Sequence, residues 1–135
     1  AGVDLDFAPV LDVHSNPRNT VIGDRAFGSD PERVTRMALA VHRGLLAAGL
    51  LTCGKHFPGH GDTLADSHFD LPRVDRSRAE LERVELPPFR AAIDAGIPLM
   101  MVAHVIHSAL DAHRPASLSP VIVRGLLRQE LGYTG

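Results

Sequence analysis

The sequence predicts an α/β protein on a parallel sheet: a central slice, about three βα units long, of a (β/α)8 TIM barrel that continues beyond both ends. Three observations carry that expectation. Strand-like apolar runs begin near Val3, Leu50 and Leu99, 47 and 49 residues apart, and a helical pattern follows each one. Sequential βα units of nearly constant period imply parallel strands. A three-stranded parallel sheet has two open edges, whereas a closed barrel of this type needs eight strands and typically about 250 residues. Gly2 lies at the mouth of a strand, and Tyr133-Thr134-Gly135 ends where a fourth strand is due, so the chain is expected to be truncated at both ends. A small complete three-layer α/β domain is the alternative.

The elements follow in order. Residues Val3 to Val13 alternate apolar and polar before a loop with Asn16-Pro17 and Gly23, which predicts the first strand and a long connection. Asp30 followed by Pro31 is a cap and a first-turn proline. Val34, Met37, Ala38, Val41 and Leu45 then recur at helical spacing until Gly49. Leu50 to Gly54 is a short apolar run bounded by glycines, a buried strand, and Lys55 to Arg73 has no period of its own. Ser77 with Glu80 has capping-box form and opens a second helix, broken at Pro87-Pro88 and resumed from Phe89 to Gly96. Leu99 to Ala103 is the third buried strand. After a loop from His104 to Leu118, Ser119-Pro120 starts a third helix that ends at Gly132.

Composition excludes several classes of function. With 44% apolar and 22% charged residues the chain has the means to bury a core. Its formal net charge of -2, with both signs interleaved along the length, gives no footprint for nucleic acid or an anionic membrane. No apolar run reaches the roughly 18 residues of a spanning helix. Cys53 is the only cysteine, so no intrachain disulfide can form, and its apolar neighbours make it a small hydrophobe in a strand.

In barrels the C-terminal ends of the strands carry the active site, and the three loops there are rich in polar residues. The second is the most informative. It reads Lys55-His-Phe-Pro-Gly-His-Gly-Asp-Thr-Leu-Ala-Asp-Ser-His-Phe-Asp-Leu-Pro72, with three histidines among turn-forming residues. Its prolines and glycines are expected to bend the backbone towards a ligand while Lys55 and His56 stay anchored by the strand. Lys-His-Phe-Pro-Gly-His-Gly followed by Asp-Ser-His resembles the signature of the β-N-acetylglucosaminidase branch of glycoside hydrolase family 3. Asp4 to Asp12, Ile22 to Gly28 and Met101 to His104 are similar to further segments of that family, so the resemblance spans nearly the whole chain.

The resemblance implies that residues 1–135 are part of the catalytic barrel of a retaining exo-acting enzyme that hydrolyses terminal β-linked GlcNAc. It implies that His68 is the general acid/base and that Asp66 orients its imidazole. Arg25, Lys55 and His56 match positions that hydrogen-bond sugar hydroxyls. The nucleophile of the family is an Asp on the next strand, after a turn like Leu131-Gly-Tyr-Thr-Gly135, so it is expected just beyond Gly135, and the slice alone is not expected to hydrolyse. No metal and no organic cofactor are implied. The expected partner is a carbohydrate, either a GlcNAc-containing muropeptide or a chito-oligosaccharide. The resemblance places the enzyme in a bacterial cytoplasm, in cell-wall recycling; a secreted relative would carry the same loop.

Other readings use the same residues. His56, His60, Asp62, Asp66 and His68 can be drawn as ligands of a catalytic metal, although a loop broken by Pro58, Gly59 and Gly61 does not put His56 and His60 on one helical face. A non-catalytic sugar-binding remnant would keep Arg25, Lys55 and His56. His60 is given no role, and Asp62 is expected to cap or bend the loop. His104 either faces the barrel mouth or is a satisfied core histidine. His107 and His113 are expected in solvent.

Overall fold

In the computed structural model, which describes residues 2–63 and 71–135, the chain is an α/β unit. Strand β1 (Leu5–Asp6) pairs with β2 (Leu51–Phe57), and β2 pairs with β4 (Leu99–Val102), all parallel, in the order β1-β2-β4. The helices are α1 (Pro31–Ala47), α2 (Arg78–Glu80), α3 (Leu86–Asp94) and a last helix, Val121–Glu130, with π-type hydrogen bonding. The predicted βα order therefore holds.

Capping explains why the elements start and stop where they do. The Asp30 carboxylate accepts from the Glu32 N–H at 3.1 Å and Pro31 opens α1. At the other end the Leu50 N–H reaches the Leu45 carbonyl and the Gly49 N–H the Leu46 carbonyl, with Gly49 at φ +82°. That is the two-bond closure a left-handed residue permits after a helix. The Ser77–Glu80 capping box forms in both directions. Val34 and Ala38 are buried as their spacing predicts, but Met37 is 46% exposed, and His42 takes the inward position, its Nδ1 at 2.7 Å from Thr52 Oγ1.

Three boundaries differ from the sequence pattern. Regular pairing of the first strand is confined to Leu5–Asp6, because Pro9 has no N–H to donate, and the segment resumes contact through a Val10–Lys55 bridge. Strand β2 runs three residues past Gly54, since Lys55 pairs with Met101 and Phe57 with Val102. The helix is not interrupted at Pro87-Pro88. A π-helical turn, Leu81–Glu85, joins α2 to α3, and the Leu86 N–H bonds the Leu81 carbonyl five residues back. Widening the turn at that point admits two prolines that an α-helical ladder would reject.

The core joins the sheet to its helices through Leu11, Phe57, Leu86, Phe89, Ala92, Ile97, Ile122 and Leu126, with Phe57 and Phe89 edge to face at 5.4 Å. A second parallel pair, absent from the sequence expectation, joins β3 (Arg73–Val74) to β5 (Ile106–His107). It ties the second strand-end loop to the third. Cys53 is buried, and burial raises its thiol pKa.

Candidate active site

The strand ends meet at a cavity of about 200 Å³ lined by Val21, Ile22, Arg25, His56, His60, Met101 to Ala103 and His104. All three strand-end loops contribute to it. Arg25 ends a short 3-10 turn, Gly23–Arg25, is exposed, and donates from Nη2 to the Val21 carbonyl at 2.5 Å. His104 lies at the mouth and not in the core: it is exposed, with Nδ1 at 2.7 Å from Ser117 Oγ. Lys55 is half-buried near the end of β2 and is not among the lining residues.

His56 owes its place to an irregularity in the sheet. Lys55 pairs with Met101 and Phe57 with Val102, so His56 is an extra residue between two consecutive partners. Such a bulge re-aims a side chain at the end of a strand. The Lys55–His56 peptide there is cis, as are Ala8–Pro9 and Phe57–Pro58.

Asp12 sits beneath His56, fully buried at the end of the first extended segment. Its carboxylate accepts from the His56 backbone N–H at 3.2 Å, from His56 Nδ1 at 2.6 Å and from the His60 N–H at 2.7 Å. A buried carboxylate is tolerated when its oxygens are satisfied in this way. A carboxylate can only accept, so Nδ1 carries the proton and Nε2 is the ring's remaining polar atom. The sequence reading gave Asp12 no role. The signal was available: an acidic residue inside Val10-Leu11-Asp12-Val13, in line with the apolar strand.

The rest of the loop is fastened just as fully. Asn19 donates to the His60 carbonyl at 2.7 Å and accepts from the Val21 and Ile22 N–H groups, while Thr63 Oγ1 lies 2.7 Å from His60 Nδ1. No sequence signal marked Asn19. Gly61 is required because a Cβ there would lie 1.7 Å from the Val13 carbonyl oxygen. Gly59, at φ +133°, lies over Glu85, whose side chain a Cβ would meet at 3.0 Å. These two glycines admit the protein's own backbone and side chains.

Two buried titratable groups underlie the loop. Glu85 is 1% exposed, and burial is the main cause that raises its pKa to about 7, opposed by the Arg76 charge. His107, expected in solvent, is fully buried because β5 pairs with β3 and carries it inward. Burial lowers its pKa to about 4, opposed by the backbone carbonyl of Gly59. His113 is exposed, as expected. Asp62 makes a two-pronged pair with Arg76, at 3.0 and 3.2 Å.

Asp66 and His68 lie outside the described residues. Among the described residues no three His, Cys, Asp or Glu side chains are grouped to hold a metal ion. A larger cavity, of about 830 Å³, opens between the start of α1 and the π turn beside Asp30, Glu32, Arg36 and Arg83. It touches none of the strand ends, and its ionic side chains are those of an ordinary solvated surface.

The fold recurs in known proteins. Residues 1–135 match the family described as glycosyl hydrolase family 3 N terminal domain. A beta-hexosaminidase of Thiobacillus denitrificans is 48% identical over 134 residues, which cover 99% of this chain and 37% of that protein. The chain thus spans little more than a third of that relative's length. The family 3 β-N-acetylglucosaminidase of Paenibacillus superposes with a TM-score of 0.96 at 48% identity, over 98% of this chain and 25% of that one. NagZ of Neisseria gonorrhoeae, in complex with N-trifluoroacetyl-D-glucosamine, superposes at 0.92 and 44% identity, over 99% and 39%; the same protein is also known in complex with a zinc ion. This chain belongs to the N-terminal domain of glycosyl hydrolase family 3, a family of glycoside hydrolases.

Proposed function

We propose that the chain is part of the (β/α)8 barrel of a retaining exo-β-N-acetylglucosaminidase that releases terminal β-linked GlcNAc, from cell-wall muropeptides in a bacterial cytoplasm. The observation that carries this reading is the cavity at the strand ends, where Arg25 and His56 meet and Asp12 keys the His56 ring. Gonococcal NagZ, 44% identical, is known with an N-acylated glucosamine bound, which supports a sugar of that class. Exposed Phe7 and Leu51 support the barrel. By strand alternation Leu51 lies on the sheet face opposite Thr52, which meets α1, and further strands would cover that face.

In this reading the roles divide by chemistry. Arg25, Lys55 and His56 hold hydroxyls of the sugar undergoing cleavage, with His56 Nε2 as acceptor. His68 donates a proton to the leaving oxygen and later takes one from water, and Asp66 orients the imidazole and stabilises its charged form. An Asp on the strand after Gly135 attacks the anomeric carbon to form the glycosyl-enzyme, which water then hydrolyses. In the complete enzyme, His68→Ala should reduce kcat/KM on poor leaving groups far more than on activated aryl glycosides. Equal loss on both would overturn the acid role.

A second reading, metal-dependent hydrolysis through His56, His60, Asp62, Asp66 and His68, draws on the zinc ion in complex with gonococcal NagZ. Three of those groups already have protein partners, since His56 Nδ1 is bonded to Asp12, His60 Nδ1 to Thr63 and Asp62 to Arg76. Full activity after exhaustive chelation would dismiss it, and restoration by zinc would establish it.

A further inference from the structure

Segment 64–70, which carries Asp66 and His68, leaves the described structure at Thr63 and returns at Leu71. Each end is fastened by its own contacts. Before it, Thr63 and His60 are held by Asn19, and Asn16 donates to the Asp62 carbonyl at 3.2 Å. After it, the Pro72 carbonyl accepts from the Ile106 N–H at 2.9 Å and β3 pairs with β5.

Among the described residues, the side chain of Arg76 connects the two ends. Arg76, just past β3, places Nε 3.0 Å and Nη2 3.2 Å from the two carboxylate oxygens of Asp62, fourteen positions earlier in the chain. A planar guanidinium holding both oxygens of a carboxylate fixes direction as well as distance, which a lysine would not do. The third nitrogen, Nη1, lies 3.6 Å from Glu85 Oε1, and that oxygen also accepts from Ser15 Oγ at 3.3 Å. Arg76 is thus connected to the helical layer as well as to the loop. The pair is only one-fifth to one-quarter exposed, and Glu85 is buried, so this is not a solvated surface bridge of negligible consequence. Removing the charge of Arg76 takes away the partner of Asp62 and the positive charge that opposes protonation of Glu85.

We propose that Arg76 is a positioning residue for the reaction: its guanidinium clasps Asp62 and Glu85 and holds together the two ends of the segment that carries Asp66 and His68. The proposal rests on the reading of His68 as acid/base. Arg76, Asp62 and Glu85 are not among the residues that line the strand-end cavity. Failure of the clasp should therefore appear in proton transfer to the leaving group and not in recognition of the sugar, which belongs to Arg25, Lys55 and His56.

The test uses the complete enzyme with Arg76→Ala, Arg76→Lys and Asp62→Asn, on aryl GlcNAc glycosides with poor and activated leaving groups. Arg76→Ala should lower kcat/KM about tenfold or more on the poor leaving group, and by no more than about threefold on the activated one. The inhibition constant of free GlcNAc should stay within about twofold. Asp62→Asn should reproduce this pattern, the double variant should be no worse than Arg76→Ala, and Arg76→Lys should recover part of the loss. If Arg76→Ala does not fold, Arg76→Lys and Asp62→Asn read the same clasp. A lower Tm with equal proportional losses on both substrates, or with none, would overturn the proposal and leave Arg76 a structural residue. His68→Ala, assayed beside them, separates the two ideas. If it too lacks leaving-group dependence, the acid/base reading falls and takes the clasp's role with it; if it shows the dependence and the Arg76 and Asp62 variants do not, the clasp alone falls.

Discussion

The two layers of the second strand-end loop are stabilised in opposite ways. The upper layer, His56 to Thr63, is a closed set of hydrogen bonds in which Asp12 and Asn19 each serve several backbone and side-chain groups. The lower layer contains Glu85 and His107, fully or nearly fully buried, with Glu85 Oε2 unpartnered among the described residues. A satisfied network fixes a geometry, while titratable groups whose pKa values burial displaces make stability depend on pH. The structure thus puts its positional order at the cavity and its electrostatic cost one layer below.

Asp12→Ala would break the comparison most severely. It strands the His56 and His60 donors, and loss of a buried charged partner costs about 3–5 kcal/mol, read by urea unfolding of the complete enzyme. Asp12→Asn keeps the shape, so it should cost less but still release the His56 ring; unchanged affinity for GlcNAc in that variant would show that Asp12 does not key His56. Gly61→Ala comes next. A Cβ 1.7 Å from the Val13 carbonyl oxygen must push two backbone segments apart, at about 3 kcal/mol or more, also read by unfolding.

The lower layer is tested by pH. Glu85 has a folded pKa of about 7, raised from 4.5, so the folded state binds the extra proton and this group makes stability fall as pH rises from about 4.5 to 7. His107 has a folded pKa of about 4, lowered from 6.5, so the unfolded state binds the extra proton and this group makes stability rise between about 4 and 6.5. The two slopes oppose each other over most of their range. Glu85→Gln should leave the rising limb and His107→Phe the falling one, each on the order of 2 kcal/mol, measured as Tm against pH. Identical Tm profiles for the two variants would sink this account. The smallest effect is expected outside both layers: Met37→Ala, on the exposed side of α1, should change stability by no more than about 0.5 kcal/mol.

Much of the scaffold was legible because its signals are local. The Asp30–Pro31 start and Gly49 stop of α1 and the Ser77–Glu80 box depend on residues within one turn of each other. The helix through Pro87-Pro88 was not legible, since a proline pair reads as a break unless a wider turn precedes it, and the pattern does not reveal one. That Met37 faces outward and His42 inward was not legible for a similar reason. The inward place of His42 depended on Thr52, from the next strand, offering it a partner.

For the site, the resemblance to the family marked Arg25, Lys55 and His56, and the cavity joins Arg25 and His56 while Lys55 is not among its lining residues. The amino-acid sequence by itself determined the βα order, the helix ends and the loop rich in His and Gly, because these follow from spacing, capping and backbone permissiveness over a few residues. Only the tertiary structure decided that His56 is bulged out of register, that Asp12 keys it across 44 positions, and that β3 and β5 bury His107. Those outcomes depend on which distant groups satisfy a buried donor or acceptor, and desolvation makes that choice only once the chain is packed.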